Sequence, residues 1–251
     1  MSFFSNLFAK KEPPSQLKNL AAIEVDIHSH LVPGIDDGSQ SMAESMHLIR
    51  LMQNIGFKKI ITSPHIMTGG FNNTPAIIRA GRDEVRNELT KQNIAIDFDA
   101  YAEYYIDDTI ENKIKEGLIC INDKLLLVEL SYYAKPINLF HYFFQLNEAG
   151  YQVILAHPER YPFLYEKDLE TYRQIKDMGV LFQLNITSFS GVYGQGAKQY
   201  AEKLLAENMI ELLGTDLHNE KHFRFLLESL KSRKLEQFIL SDKLQNKKLF
   251  A

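Results

Sequence analysis

The stretch Ile23–Gly38, with the sequence IEVDIHSHLVPGIDDG, determines how the rest of the chain is interpreted. Apolar and acidic residues alternate from Ile23 to Ile27, which predicts a β-strand, and a Pro-Gly and Asp-Asp-Gly turn follows. His28 and His30 stand between strand and turn. Two residues apart on an extended backbone, their side chains project to one face and can reach the same metal ion. The pair lies at the carboxyl end of a strand, where α/β proteins place their chemistry.

The length and composition are those of one large domain. The chain has 251 residues, 45% of them hydrophobic, which suffices for a single core and is typical of one α/β barrel. We predict a single domain over residues 21–251 and a flexible N-terminal tail, residues 1–20, outside its core. A net charge of -4 without a basic run argues against a nucleic-acid partner.

The single cysteine, Cys120, excludes an internal disulfide and favours a reducing, cytoplasmic location. The sequence contains no apolar run long enough to predict a membrane span, and its first residues do not have the pattern of a signal peptide. Phosphatases that use a cysteine thiolate carry an arginine six residues after that cysteine, whereas this chain has Leu126 six residues after Cys120. Cysteine-based phosphatase chemistry is therefore excluded.

Six further β-rich runs follow the first strand, with segments of helical character between most of them. Strands are predicted at 58–63, 94–101, 125–128, 152–156, 180–184 and 210–214, and helices at 39–56, 75–91, 138–149, 167–178, 195–208 and from 221 onward. This alternation predicts an α/β protein with an all-parallel sheet covered by helices. Seven strands at this length suggest closure into a barrel, and an open doubly wound sheet is the alternative.

Polar residues stand at the ends of these predicted strands: His28, His30, His65, Glu103, Glu129, His157, Asn185, Asp216 and His218. Each one alone has an ordinary explanation, such as a solvated cap or a hydrogen-bonded core histidine. In a parallel sheet, however, the strands end at a common rim, so the side chains converge despite their separation in sequence. The sequence therefore predicts one polar site at that rim.

Histidine and carboxylate ligands without cysteine suit Zn, Mn, Fe or Co in an open catalytic site. The five histidines and three carboxylates of this set are eight candidate ligands, which exceed the needs of one ion. We expect two or three ions, each pair about 3.5 to 4 Å apart. Such clusters activate water and polarise a phosphoryl or carbonyl oxygen, which predicts a hydrolase. A non-catalytic binding module that keeps metal for stability is the alternative from another class.

Arg160 indicates an anionic substrate. It stands three residues after His157, so we expect it at the same rim, where a guanidinium beside cations needs an anion between them. A phosphomonoester is favoured over a neutral amide, and pairing of Arg160 with Glu159 or another surface acid is the alternative. Asp36 and Asp37 suit ordinary turn chemistry, or one of them, Asp37, is a further ligand or supports one.

Several motifs in this order resemble those of the polymerase and histidinol phosphatase (PHP) superfamily. They are Asp26-Ile27-His28-Ser29-His30, Asp36-Asp37-Gly38, Thr62-Ser63-Pro64-His65, Glu103, Glu129, Ala156-His157-Pro158-Glu159-Arg160-Tyr161 and Thr215-Asp216-Leu217-His218-Asn219. Over about residues 23–230 the chain resembles the bacterial capsular-polysaccharide-type protein tyrosine phosphatases. The resemblance implies a distorted (β/α)7 TIM-like barrel of the PHP type with two or three divalent metal ions, usually manganese.

The same resemblance implies a role for each matching position. The implied metal ligands are His28, His30, His65, Glu103, Glu129, His157, Asp216 and His218. Arg160 matches a phosphate-contacting arginine, Asp37 matches an acidic position of the motif, and His65 or His218 is available as a proton donor. Some members carry a second arginine after the last motif, where this chain has Lys221, His222 and Arg224.

The implied reaction is hydrolysis of phosphotyrosine by a metal-activated hydroxide. The implied partner is a phosphotyrosine protein, a bacterial tyrosine kinase of capsule or exopolysaccharide biosynthesis. A small-molecule phosphatase of the histidinol-phosphatase type is the nearest alternative. An exonuclease on the same scaffold is disfavoured by the acidic charge balance.

Overall fold

The computed structural model describes residues 15–250, in which nine strand segments pair only in parallel. The segments are β1 (Val25–Asp26), β2 (Lys59–Thr62), β3 (His65–Ile66), β4 (Asp97–Ala100), β5 (Glu103–Tyr105), β6 (Leu125–Glu129), β7 (Gln152–Ala156), β8 (Leu181–Asn185) and β9 (Leu212–Gly214). They form a β1-β2-β4 sheet and a β3-β5-β6-β7-β8-β9 sheet. The predicted α/β class with parallel strands is confirmed.

Helices connect most of the strands. Within residues 15–250 they are α1 (Met42–Asn54), α2 (Pro75–Lys91), α3 (Ile110–Glu116), α4 (Leu139–Glu148), α5 (Glu170–Asp177), α6 (Gln195–Ala206), α7 (Glu220–Ser229), α8 (Arg233–Ile239) and α9 (Asn246–Phe250). The sequence had not predicted α3, because its seven residues are too few to show a helical period. The Ser41 side chain caps α1 by accepting a hydrogen bond from the Glu44 amide.

The nine segments correspond to the seven predicted strands because two strands are interrupted. Pro64 has no amide hydrogen and stands between β2 and β3, and the neighbouring strand is broken in the same place between β4 and β5. Backbone hydrogen bonds from Tyr101 to Thr62 (2.9 Å) and from Glu103 to Pro64 (3.1 Å) span the interruption. Both interrupted strands therefore continue toward the same end of the molecule.

The backbone just beyond β1 pairs with the backbone just beyond β9. The Asp216 amide donates to the His28 carbonyl (2.7 Å), and the His30 amide donates to the Leu217 carbonyl (2.9 Å). A parallel bridge joins Ser29 to Leu217 at the same place. The first and last strands in the chain therefore meet at the level of the predicted ligands.

Apolar residues form two buried clusters on opposite sides of the strands. In β6, Leu126 and Val128 belong to the larger cluster, which includes the helices, whereas Leu127 belongs to the smaller one. The smaller cluster contains mainly strand residues together with Phe250 of α9. Since side chains alternate along a strand, burial on both faces explains the continuous apolar runs in the sequence.

Most of the predicted tail, residues 1–14, lies outside the described residues. Within its described part, Leu20 is fully buried in the larger apolar cluster, and the Gln16 amide donates to Glu236 Oε1 (3.2 Å). The packed core therefore includes Leu20. None of the helices between residues 15 and 250 has the length and apolar content to cross a membrane.

Candidate metal centre

The predicted strand-end residues surround one cavity of about 340 Å³ at the carboxyl ends of the strands. The predicted residues that line it are Asp37, His65, Glu103, Glu129, His157, Arg160, Asp216 and His218. His28 and His30 are fully buried and contact these residues from below. All eight candidate ligands are thus brought together, although six strands and the loops after them supply them.

Glu103 is the centre of the arrangement. Its Oε2 lies 3.2 Å from His28 Nε2 and 3.1 Å from His65 Nδ1, and its Oε1 lies 3.1 Å from His157 Nε2. Asp216 occupies a similar position, with Oδ1 3.4 Å from Nε2 of both His28 and His30. Each carboxylate therefore contacts more than one of the candidate histidine ligands.

Donor atoms of the candidate ligands form four overlapping groups, in each of which all atoms lie within 4.8 Å of one another. These groups are His30-Asp37-His65-His218, His28-His30-Asp216, His28-Glu103-His157 and His65-Glu103-Glu129. Because His28, His30, His65 and Glu103 each belong to two groups, ions bound in adjacent groups would share ligands. This is the geometry of a multinuclear site.

Hydrogen bonds among the described residues do not satisfy the buried donor atoms. His65 Nδ1, Glu103 Oε2 and His157 Nδ1 are buried without a hydrogen-bond partner. The first two are 3.1 Å apart, but their orientation is not that of a hydrogen bond. Unpaired buried polar atoms are costly, and nitrogen and oxygen donors without thiolates suit divalent cations. The residues present therefore fit a bound metal cluster.

The electrostatics of the site favour cations. Burial opposes protonation of His28, but the negative charges of Glu103 and Asp216 outweigh it and raise the pKa of His28 to about 9. Burial likewise opposes ionisation of both carboxyls, yet His28 and the other nearby imidazoles hold their pKa values well below the ordinary range. A buried pocket that keeps its carboxylates ionised and attracts positive charge can exchange protons for metal ions.

Two of the candidate ligands have a strained backbone. His157 and Asp216 have φ angles of +35° and +51°, in the left-handed region that residues with a side chain avoid. Strand-like hydrogen bonds hold both, since the His157 amide donates to Gln183 O and the Asp216 amide to His28 O, each at 2.7 Å. Such strain costs about 1–3 kcal/mol per residue and is concentrated at functional sites.

Two residues outside the ligand set orient the buried histidines. Gln183 Oε1 lies 2.7 Å from His28 Nδ1, and Asp36 Oδ2 lies 2.8 Å from His30 Nδ1. When Nδ1–H donates to these acceptors, Nε2 of each ring presents its lone pair to the cluster. Sequence reasoning missed Gln183, because a glutamine inside an apolar strand gives no signal of this role.

The two aspartates of the turn have different roles. Asp36 is buried; besides contacting His30 it accepts hydrogen bonds from the amides of Gly38 (3.0 Å) and His65 (3.2 Å). Asp37 is half exposed and faces the cavity, with Oδ1 3.5 Å from His65 Nε2 and 3.4 Å from His218 Nε2. Asp36 therefore lies behind the candidate ligand His30, whereas Asp37 lies among the candidate donor atoms at the rim.

Two glycines permit the close approach of these groups. A Cβ atom on Gly214 would lie 2.6 Å from Gln183 Nε2 and 2.7 Å from His28 Cβ. A Cβ atom on Gly38 would lie 2.1 Å from the His30 carbonyl oxygen. Any larger residue would push His28 or His30 out of place.

Arg160 lies between two tyrosines at the wall of the cavity. Its guanidinium carbon is 4.6 Å from the ring centre of Tyr132 and 4.0 Å from that of Tyr193, and its Nη1 donates to Asp216 Oδ2 at 2.8 Å. The alternative partner Glu159 is instead buried and accepts hydrogen bonds from Asn185 N and Ser188 Oγ. The two tyrosines carried no sequence signal, because neither stands directly at a strand end.

The remaining candidates lie around the site. Asn185 donates to Asp216 Oδ2 (2.7 Å) and so holds that carboxylate. Of the three residues considered after the last motif, His222 lines the cavity, whereas Lys221 and Arg224 are exposed outside its lining. Cys120 lies outside the cavity lining, and burial raises the pKa of its thiol to about 11, so it supplies no thiolate.

A family model described as capsular polysaccharide synthesis, CpsB/CapC, matches residues 24–233. The chain belongs to this CpsB/CapC family. The match includes the whole predicted ligand set. The CpsB/CapC assignment also agrees with the resemblance recognised from the motifs.

Curated proteins and a solved structure support the CpsB/CapC assignment. The tyrosine-protein phosphatase YwqE of Bacillus subtilis is 30% identical over 203 residues, which is 80% of each chain. The putative tyrosine-protein phosphatase CapC of Staphylococcus aureus is 28% identical over 90% of each chain. A crystal structure from work on YwqE of Bacillus subtilis and CpsB of Streptococcus pneumoniae, described as metal-dependent tyrosine phosphatases, superposes with a TM-score of 0.79, 28% identity and 90% coverage of each chain.

Proposed function

We propose that the chain is a metal-dependent protein tyrosine phosphatase, a phosphoric monoester hydrolase of class EC 3.1.3.48. The observation that carries this proposal is the position of Arg160, which is held by Tyr132, Tyr193 and Asp216 at the edge of a histidine and carboxylate cluster. A guanidinium fixed beside bound cations matches a phosphate placed between them. The relatives' names, tyrosine-protein phosphatases, point to the same ester.

The proposal includes a role for each residue. The metal ligands are His28, His30, His65, Glu103, Glu129, His157, Asp216 and His218, with Asp37 as a further ligand at the rim. Two or three divalent ions would be bound, and manganese is the metal we propose, with Fe, Zn and Co as alternatives. When bound, the ions supply the nucleophilic water at neutral pH and polarise the phosphoryl oxygens.

The residues of the chain orient the ester and compensate its charge. Arg160 donates to the phosphoryl oxygens, and its two tyrosines keep the guanidinium plane in place. A bond forms between the water oxygen and phosphorus while the bond to the tyrosyl oxygen breaks. A phenolate, whose conjugate phenol has a pKa near 10, leaves with little help, and it can take a proton from whichever of His65 and His218 at the rim is not coordinated to an ion.

We also propose that the strands close into a distorted (β/α)7 barrel of the PHP type. Two observations support this closure. Hydrogen bonds span the interruptions between β2 and β3 and between β4 and β5, and the Ser29–Leu217 bridge joins the backbone after β1 to the backbone after β9. Closure would bring every strand end to one rim, where the eight candidate ligands from six strands meet.

The proposed partner is a phosphotyrosine protein, a bacterial tyrosine kinase of capsule or exopolysaccharide assembly. The family description and the relatives' names support this partner. We propose a cytoplasmic location, since the single cysteine is typical of proteins of a reducing compartment.

Metal content and activity measured on the same sample test the proposal. The purified protein is expected to contain divalent metal and to hydrolyse a phosphotyrosine peptide faster than histidinol phosphate. Chelation should abolish turnover, and separate additions of Mn, Fe, Zn and Co would identify the active metal. Full activity after complete metal removal would contradict the proposal, as would faster turnover of histidinol phosphate.

The variant His157→Ala tests the ligand assignment. His157 is buried and contacts Glu103, so its loss should abolish p-nitrophenyl phosphate hydrolysis while the circular dichroism spectrum is retained. His141→Ala, at an exposed position of α4, is the matched control and should keep full activity. Retained activity in His157→Ala would refute the role of this histidine.

A further inference from the structure

Five large apolar or aromatic side chains line the cavity without belonging to either apolar cluster of the described residues. They are Met67, Phe71, Tyr105, Tyr133 and Tyr193. Side chains of this size usually pack in a core or remain scattered on the surface. Their common position at a concave site with a few polar groups is typical of a ligand-contacting wall.

Phe71 is the member closest to the candidate ligands. Its ring is nearly parallel to that of His65, with an angle of 13° between the ring planes and 5.3 Å between centroids. His65 Nδ1 in turn lies 3.1 Å from Glu103 Oε2. A single side chain therefore separates the Phe71 ring from the centre of the donor cluster, and the half-buried Phe71 still lines the cavity.

The loop between β3 and α2 fixes this ring in place. The Met67 amide donates to the Phe71 carbonyl (2.9 Å), and the Gly70 amide donates to the Met67 carbonyl (3.1 Å). Asn73 Nδ2 ties the loop down by donating to the carbonyls of Ile35 (2.9 Å) and His65 (2.8 Å). The loop backbone that carries the ring is thus held in position before a ligand arrives, which reduces the entropy lost on binding.

Two other aromatic groups of the cavity, Tyr132 and Tyr193, are already engaged with polar partners. Tyr132 and Tyr193 lie against the Arg160 guanidinium, and Tyr132 OH lies 3.3 Å from His157 Nε2. These tyrosines serve the phosphate side of the site. Phe71, which stacks on His65 instead, remains available for an apolar part of the substrate.

We infer that Phe71, together with Met67, forms the contact surface for the aromatic ring of the ester and makes the site prefer aryl over alkyl phosphates. This inference rests on the proposed function for the nature of the ester. Contact between two aromatic rings adds to the burial of apolar area, so an aryl ligand should bind about tenfold more tightly than one without a ring.

Two ligands that the enzyme cannot hydrolyse measure this preference without turnover. Benzylphosphonate carries a ring on a stable carbon–phosphorus bond, and methylphosphonate carries the same anion without a ring. Calorimetric titration of the metal-loaded full chain should give an affinity about tenfold higher for benzylphosphonate. Phe71→Ala should reduce the difference to less than about twofold and leave the Kd of methylphosphonate unchanged.

Two further variants separate the ring from the fold. Phe71→Tyr keeps an aromatic ring and should keep the preference. Phe144→Ala removes a 54% exposed phenylalanine of α4 outside the cavity lining and should behave as the wild type.

Two results would overturn the inference: a Phe71→Ala variant that keeps the tenfold preference, or one that binds both phosphonates equally more weakly. The second would mean that Phe71 only supports His65. A wild-type chain that prefers benzylphosphonate but does not hydrolyse phosphotyrosine would contradict the proposed phosphatase activity and would leave the aryl contact supported.

Discussion

Gln183 is a neutral side chain that orients a candidate metal ligand. Its amide oxygen fixes His28 Nδ1 at 2.7 Å, and its amide nitrogen donates to Asn185 Oδ1 at 3.0 Å. Asn185 in turn donates to Asp216. A chain of three hydrogen bonds therefore connects two candidate ligands from opposite ends of the sequence, and it depends on a residue that contacts no cavity surface.

Gln183→Met should lower the metal affinity roughly 10- to 100-fold, because His28 loses the acceptor that fixes its orientation and tautomer. Competition with a chelator of known affinity would measure the change. Gln174→Met, at an exposed position of α5, is the matched control and should bind metal as the wild type does. Equal affinities in both variants would show that the hydrogen bond to His28 is dispensable.

Arg160→Lys should reduce kcat/KM for an aryl phosphate roughly 100-fold, because an ammonium cannot make the planar fork of donors to the phosphoryl oxygens. The metal content should stay the same, since the candidate ligands are intact. The measurements are steady-state kinetics and elemental analysis of one preparation. Arg173→Lys, an exposed residue paired with Glu207, is the control, and a comparable loss there would remove the special role of Arg160.

At the scale of the elements, α9 seals the end of the strands opposite the cavity. Asn246 is fully buried; its side chain donates to the carbonyls of Val25 (2.9 Å) and Leu213 (2.7 Å) and accepts from the Leu213 amide (2.9 Å). Phe250 fills the smaller apolar cluster beside the same strands. Five residues near the C-terminus thus join β1 to β9 below the site.

Asn246→Ala should lower the free energy of unfolding by about 2–4 kcal/mol, because it leaves buried backbone groups of β1 and β9 without partners. Urea unfolding followed by circular dichroism would measure this. Asn112→Ala, exposed on α3, should change stability by less than about 0.5 kcal/mol. If Asn246→Ala lowered the free energy of unfolding by less than about 0.5 kcal/mol, water would replace the side chain without cost.

At the scale of the whole molecule, the candidate metal site connects distant parts of the chain. Its donors come from six strands, β1, β3, β5, β6, β7 and β9, and the turns after them, so bound ions would hold together strand ends that are far apart in sequence. Without ions, the carboxylates of Glu103 and Asp216 lie directly against the imidazoles of His28 and its neighbours, and some of these buried atoms have no hydrogen-bond partner among the described residues. Metal binding would therefore be coupled to global stability.

Removing the metal should lower the Tm, and metal added back at 100 times its Kd should restore about 2.7 kcal/mol, or about 5–10 °C for a chain of this size. Calorimetric scans of both forms would measure the shift. The variant His157→Ala should show a smaller shift, because one group of donors is incomplete. An identical Tm for the two forms would mean that the ions do not contribute to the folded state.

The sequence by itself determined the order of parallel strands and the position of a histidine or carboxylate at most strand ends, because alternation and apolar runs are local properties. Only the tertiary structure decided which residues orient the candidate metal ligands. It placed Asp36 behind His30 and Asp37 in the cavity, and it brought Gln183 to His28. It also enclosed Arg160 between two tyrosines from separate loops. Contacts between residues so far apart in the chain depend on how strands and loops pack, which no local pattern records.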